Sequence, residues 1–181
     1  MAWIVLAVIV LLGVFLIGMY NSLVQLRVRS ESAWSDIDVQ LKRRHDLIPN
    51  LVETVKGYAA HEKDTFENVA KFRSMAMQAT GPVDKAAAEN QLTGALKSLF
   101  AVAENYPQLQ ASQEFTQLQN SLNEIEDAIQ NARRYYNAVA RDLNTKIQSF
   151  PTNILAGMYG FQQKQFFEAA AADREPVAVK F

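Results

Sequence analysis

The chain opens on a run that a small soluble domain has no means of covering. Residues 2–20, AWIVLAVIVLLGVFLIGMY, carry no charge, and Arg27 is the first charged side chain. A helix needs about 20 apolar residues to cross the hydrocarbon core of a bilayer. Trp3 and Tyr20 stand near the two ends, where amphipathic rings prefer the headgroup layer, and are the candidate membrane-interface anchors. A cleaved signal peptide would begin with a basic segment and end on a small-residue site. Met1-Ala2-Trp3 has no Lys or Arg, and Gly18-Met19-Tyr20 is a poor Ala-x-Ala. A buried core helix is the third option, disfavoured by the uniform apolarity of the run, and residues 1–21 are read as a transmembrane anchor. Arg27, Arg29, Lys42, Arg43 and Arg44 all follow the span, and no basic side chain precedes it. Basic residues are retained on the cytoplasmic side, which predicts the N-terminus outside and the remainder in the cytoplasm.

After residue 21 the pattern is helical throughout, and the expected class is all-α. Trp34, Ile37, Leu41, Ile48, Leu51, Val55, Tyr58, Val69 and Phe72 follow a three-four spacing, with Arg44 and Glu62 in phase as polar members. This predicts one helix from Asn21 to Ala79, continuous with the anchor. Pro49 withholds the amide that would bond the His45 carbonyl, so a kink or short break is expected there, not a loop. Ala79-Thr80-Gly81-Pro82 is a turn signal. A second helix follows to Asn105, with Leu92, Leu96, Leu99, Ala103 and Tyr106 inward and Pro107 as its stop. A third begins near Ser112, a suitable N-cap. Its near-heptad stripe runs from Phe115 through Leu122, Ile129, Tyr136 and Leu143 to Phe150. At 1.5 Å per residue that helix is ~58 Å long. Asp38–Lys42, Glu67–Lys71 and Asp142–Lys146 are spaced for i,i+4 pairs. Pro151 ends the third helix, and a shorter fourth is expected over 152–170. The prediction is therefore an elongated antiparallel bundle over 22–170, with residues 171–181 as a flexible tail.

The same residues narrow the chemistry. A net charge of −1 gives no basic surface of the kind that binds nucleic acid. With no cysteine there is no disulfide, thiolate nucleophile or Cys-based zinc site. His61-Glu62 starts like a zincin motif, but Thr65 stands where the second His belongs. His61, Glu62 and Asp64 as metal ligands are weaker than an exposed helix face, and His45 beside Asp46 reads as a surface pair. No Glu-x-x-His pair, phosphate loop or nucleophile elbow occurs. The expectation is no enzyme, no metal and no cofactor. Arg44, in phase with the apolar stripe, is expected to pair with a carboxylate of a neighbouring helix. Arg43, Arg44, Asp46, Tyr106, Arg134 and Tyr135 are the alternative, a protein-interaction surface.

The segments YNSLV at 20–24, AWSDIDVQLKRRHDLIP at 33–49, NLVETVKGY at 50–58, ENYPQLQAS at 104–112, the 134–144 region and Phe150-Pro151 resemble the LemA family of bacterial membrane proteins. The resemblance spans nearly the whole chain and departs from the family's usual residues at Gln110 and Leu143. It implies a single N-terminal membrane helix, a cytoplasmic bundle of long helices and no known enzymatic activity. Some family members occur alongside membrane-bound zinc proteases of the HtpX type, and one relative helps build magnetosome membranes. The leading expectation is a scaffold or adaptor at the bacterial inner membrane, with the lipid bilayer, an unknown protein partner or further copies of itself as its contacts. A regulatory accessory to a membrane protease or envelope stress pathway is the alternative, and a metal-dependent enzyme the third.

Overall fold

The computed structural model describes residues 1–167; the predicted tail at 171–181 lies outside them. Among the described residues the secondary structure is helical, without strands. It comprises α1 (Ala2–Lys56), α2 (Lys63–Gln78), α3 (Pro82–Glu104), α4 (Pro107–Gln110), α5 (Gln113–Gln148) and α6 (Thr152–Met158). The chain divides into two compact units. The first comprises Met1–Asp36 and Ala132–Gln165. The second comprises Ile37–Asn131 together with Phe166 and Phe167.

The expected continuity of the apolar run with the amphipathic segment is observed, because α1 is a single helix of 55 residues. It also runs through Pro49. The carbonyl of His45, deprived of its i+4 amide, accepts instead from Arg73 Nε of α2 at 2.8 Å. A guanidinium thus supplies the hydrogen bond that proline withholds, and the usual cost of a mid-helix proline is reduced.

The first break comes later than Pro49. Residues 57–62 form turns that separate α1 from α2, so the single helix expected over 21–79 is two. Gly57 supplies the reason: its conformational freedom disfavours helix, and Tyr58 N and Ala59 N both fold back onto the Val55 carbonyl. Tyr58, assigned to the apolar stripe, is consequently exposed, whereas Ala59 is buried. The next turn forms as expected. Gly81 adopts φ +77°, a conformation suited to glycine, and Pro82 opens α3. In the second unit α2 and α3 pack together across this short connection. Their core joins Ile48, Leu51 and Val55 of α1, Val69 of α2, Leu92, Leu96 and Leu99 of α3, Leu109 of α4, and Phe115 and Leu122 of α5.

Ser112 caps α5 as predicted, its Oγ accepting from Phe115 N at 3.4 Å. The fourth helix is much shorter than 152–170. It stops at Met158 because Gly160 takes φ +68°, Gly160 N bonds the Gly157 carbonyl, and Phe161 N reaches back to the Ala156 carbonyl at 2.9 Å. This is a Schellman motif, in which a left-handed glycine closes the last turn. Residues 161–167 continue without helix. In the first unit they are held to α5 by side chains. Asn144 bonds both backbone groups of Lys164, each at 2.8 Å, and the Tyr136 hydroxyl donates to the Gln165 carbonyl at 2.8 Å. Phe150, expected on the inner stripe, follows the end of α5 and is exposed.

Candidate functional site

Two features are set apart from ordinary bundle packing, one in each unit. The second unit holds a buried ionic network. α1 places Arg44 and His45 side by side, and α3 faces them with Glu89, which falls three residues before Leu92 on the apolar stripe of α3. Arg44 and Glu89 are each 2% exposed. Glu89 accepts from Arg44 Nη1 at 2.8 Å on one oxygen and from His45 Nε2 at 2.7 Å on the other. An ionised carboxylate has no proton to give, so Nε2 carries the hydrogen. Arg44 Nη2 reaches Thr93 Oγ1 and Glu126 Oε1, each at 2.7 Å. Thr93 in turn donates to the Glu89 carbonyl. Only Arg44 Nε is buried in this network with no hydrogen-bond partner. The arrangement ties α1, α3 and α5 together and directs its polar atoms at one another.

The expected pairing of Arg44 with a neighbouring helix is therefore observed, with Glu89 and Glu126 as its carboxylates. The same burial removes Arg44 from any exposed interaction surface. His45 is corrected likewise, from a surface side chain to a buried one, because Glu89 supplies the partner that makes burial tolerable. Asp38 pairs across to Lys85 of α3 at 2.6 Å. Arg43 and Asp46 are exposed, Arg43 bonding Gln40, and Tyr106 is half-buried against the core. Arg134 and Tyr135 are exposed and fall in the first unit, not the second. Glu89 was not singled out from the sequence, although its phase with Leu92, Leu96 and Leu99 marks it as an inward acid opposite an inward Arg44. Among the described residues, no three His, Cys, Asp or Glu side chains gather as a metal site would require, and His61 is exposed in the 57–62 turns.

The first unit presents the opposite surface. Its apolar run is long enough to cross a membrane, and only 6% of its most apolar window is buried by the protein. Trp3 stands exposed near the start of the run. Tyr20 packs against Tyr159 with the rings tilted by 57° at a centroid distance of 4.8 Å and meets Phe161 edge-on at 6.0 Å. The Arg27 guanidinium lies over the Phe161 ring at 5.2 Å. Aromatic rings and the first cation of the chain thus meet where the apolar run ends, the composition favoured at a membrane–water boundary.

A sequence model of the LemA family matches residues 33–181, more than four-fifths of the chain. The chain belongs to the LemA family. The match begins beyond the apolar run and takes in both the Arg44–Glu89 network and α6. Among LemA-related proteins, Protein LemA of Metamycoplasma hominis is 28% identical, over 93% of this chain and 79% of its own length. Magnetosome protein MamQ 2 of Paramagnetospirillum magneticum is 28% identical, over 87% of this chain and 68% of its own. Magnetosome protein MamQ of Magnetospirillum gryphiswaldense is 26% identical over the same shares.

Proposed function

We propose that this LemA-family protein is a non-enzymatic single-pass membrane scaffold, held in the bacterial inner membrane by residues 1–21 and presenting its helical domain to the cytoplasm. The observation that carries the reading is the bare apolar surface of the run. A soluble protein seldom leaves so large a continuous apolar surface in water. The basic residues that follow the run favour the cytoplasmic orientation. The buried ionisable groups support an adaptor role over catalysis, since the polar atoms of Arg44, His45 and Glu89 are engaged in holding helices together. Magnetosome proteins among the relatives fit work at a membrane.

Crosslinking in intact membranes, followed by purification in mild detergent, is expected to return a discrete oligomer or a retained partner. A strictly monomeric chain with no partner overturns the scaffold reading. A fluorescent protein fused after Phe181 is expected to mature in the cytoplasm, whereas an active alkaline phosphatase fusion at the same point overturns the orientation.

A further inference from the structure

A second stretch of the chain is also charge-free: residues 147–163, between Lys146 and Lys164. The fold sets its central part, the α6 corner, against the second half of the apolar run. Pro151, Ile154, Leu155, Met158 and Tyr159 form one wall of an apolar groove of about 620 Å³, and residues from Leu12 to Tyr20 form the other. Phe150, Ile154 and Met158 recur every four residues and face outward; Met158 is 74% and Phe150 81% exposed. In water that exposure is costly, since fully burying such a side chain is worth about 1.5–3 kcal/mol.

We propose that the α6 corner is a second membrane-contacting element, embedded in the cytoplasmic leaflet beside the span, with lipid acyl chains filling the groove. The inference rests on the transmembrane reading of residues 1–21. Its occupant follows from continuity: a groove whose wall is a lipid-facing helix opens onto lipid. Leu12 to Tyr20 spans about 12 Å of helix rise, less than half of a ~30 Å hydrocarbon core, so the corner reaches into one leaflet only. The rim is suited to that depth. Tyr20, Tyr159 and Phe161 cluster there, Arg27 lies over Phe161, and Lys164 pairs with Glu31 at 3.7 Å.

The backbone of the corner is also prepared for a medium with little water. Pro151 has no amide, Asn153 N bonds the Ser149 carbonyl, and Ile154 N bonds the Pro151 carbonyl. Tyr159 N, Gly160 N and Phe161 N close the other end on carbonyls of the helix itself. Hydrocarbon tolerates irregular backbone only when such groups are satisfied within the protein. Thr152, buried, turns its hydroxyl to Met19 Sδ at 3.8 Å. Asn153 and Gly157 take the other exposed positions of α6, which suits a helix lying at the boundary more than one sunk deeply.

The absence of native cysteine makes the test direct. Single variants Ile154→Cys and Met158→Cys of the full chain are placed in phosphatidylethanolamine/phosphatidylglycerol nanodiscs, with Ile9→Cys and Glu124→Cys as references, and their helicity is checked by circular dichroism. Maleimide labelling rates are measured. A bimane probe is then read for quenching by lipids brominated on the acyl chains. Both corner positions are expected to label at least tenfold more slowly than Glu124→Cys and to be quenched as Ile9→Cys is. Labelling at the Glu124→Cys rate, with Ile9→Cys still quenched, overturns the inference and leaves the tether standing. Protection without quenching also overturns it, since protein would then cover the groove. An unquenched Ile9→Cys removes the tether reading itself.

Discussion

The two units treat apolar and charged groups in opposite ways. In the second, a complete ion pair is buried and met by further hydrogen bonds with His45 and Thr93. Along the apolar run of the first, aliphatic side chains stand outermost, and Arg27 lies where that apolar surface ends. The second unit follows the rules of a protein folded in water, where a buried charge persists because it is paired and hydrogen-bonded. The apolar run of the first unit makes physical sense only if its surroundings are themselves apolar. A single long helix, α1, contributes residues to both, so a change of solvent along the chain need not coincide with a break in secondary structure.

The contrast is tested most severely by Glu89→Ala, which leaves Arg44 and His45 buried without their shared carboxylate. Removing one partner of a buried pair costs about 3–5 kcal/mol. A large fall in the midpoint of thermal unfolding is expected, whereas Glu126→Gln, at a carboxylate with 30% side-chain exposure, should move it far less. Equal effects would mean that burial is not what gives the network its weight.

On the lipid side, Ile9→Arg puts a charge in the middle of the run, at a cost of about 2.5–3.5 kcal/mol on insertion scales. Membrane-fraction yield should drop, while protein extracted in detergent keeps the unfolding midpoint of the second unit. A drop in that midpoint would blur the division of labour between the units. A smaller effect is expected from Arg73→Met, which strands the His45 carbonyl at Pro49 and should destabilise by about 1–3 kcal/mol. Faster amide exchange should then be confined to α1 near residues 45–50. Smallest is the alkaline response of Tyr136. Burial raises its phenol above the usual pKa of 10.0. The neutral, hydrogen-bonded form is therefore the one favoured by folding, and its contribution is intact below that value and lost as pH climbs above it. Tyr136→Phe should flatten the decline of stability above pH ~10, as followed by urea unfolding.

Much of this was readable in one dimension. The charge-free opening run, the stripe of α5, the Ser112 cap and the Gly81-Pro82 turn depend on spacing and local chemistry, which operate over a few residues. Arg44 was legible as an inward cation because it shares the phase of Ile37, Leu41 and Ile48. The misreadings came from local signals that were outweighed. Gly160 ends a helix through a left-handed backbone conformation that an apolar pattern does not encode. The burial of His45 is not legible locally, because nothing within a few residues of it explains that burial. Its partner, Glu89, is 44 residues away.

The sequence by itself determined that the chain is all-helical, which stretch demands lipid and which family the chain resembles. Those properties follow from periodicity, composition and the length of an uncharged run. Only the tertiary structure decided that Glu89 answers both Arg44 and His45, that Arg73 repairs the gap left by Pro49, and that the charge-free α6 corner is laid along the apolar run. Each joins groups far apart in the chain, and packing alone brings them within hydrogen-bond or van der Waals reach.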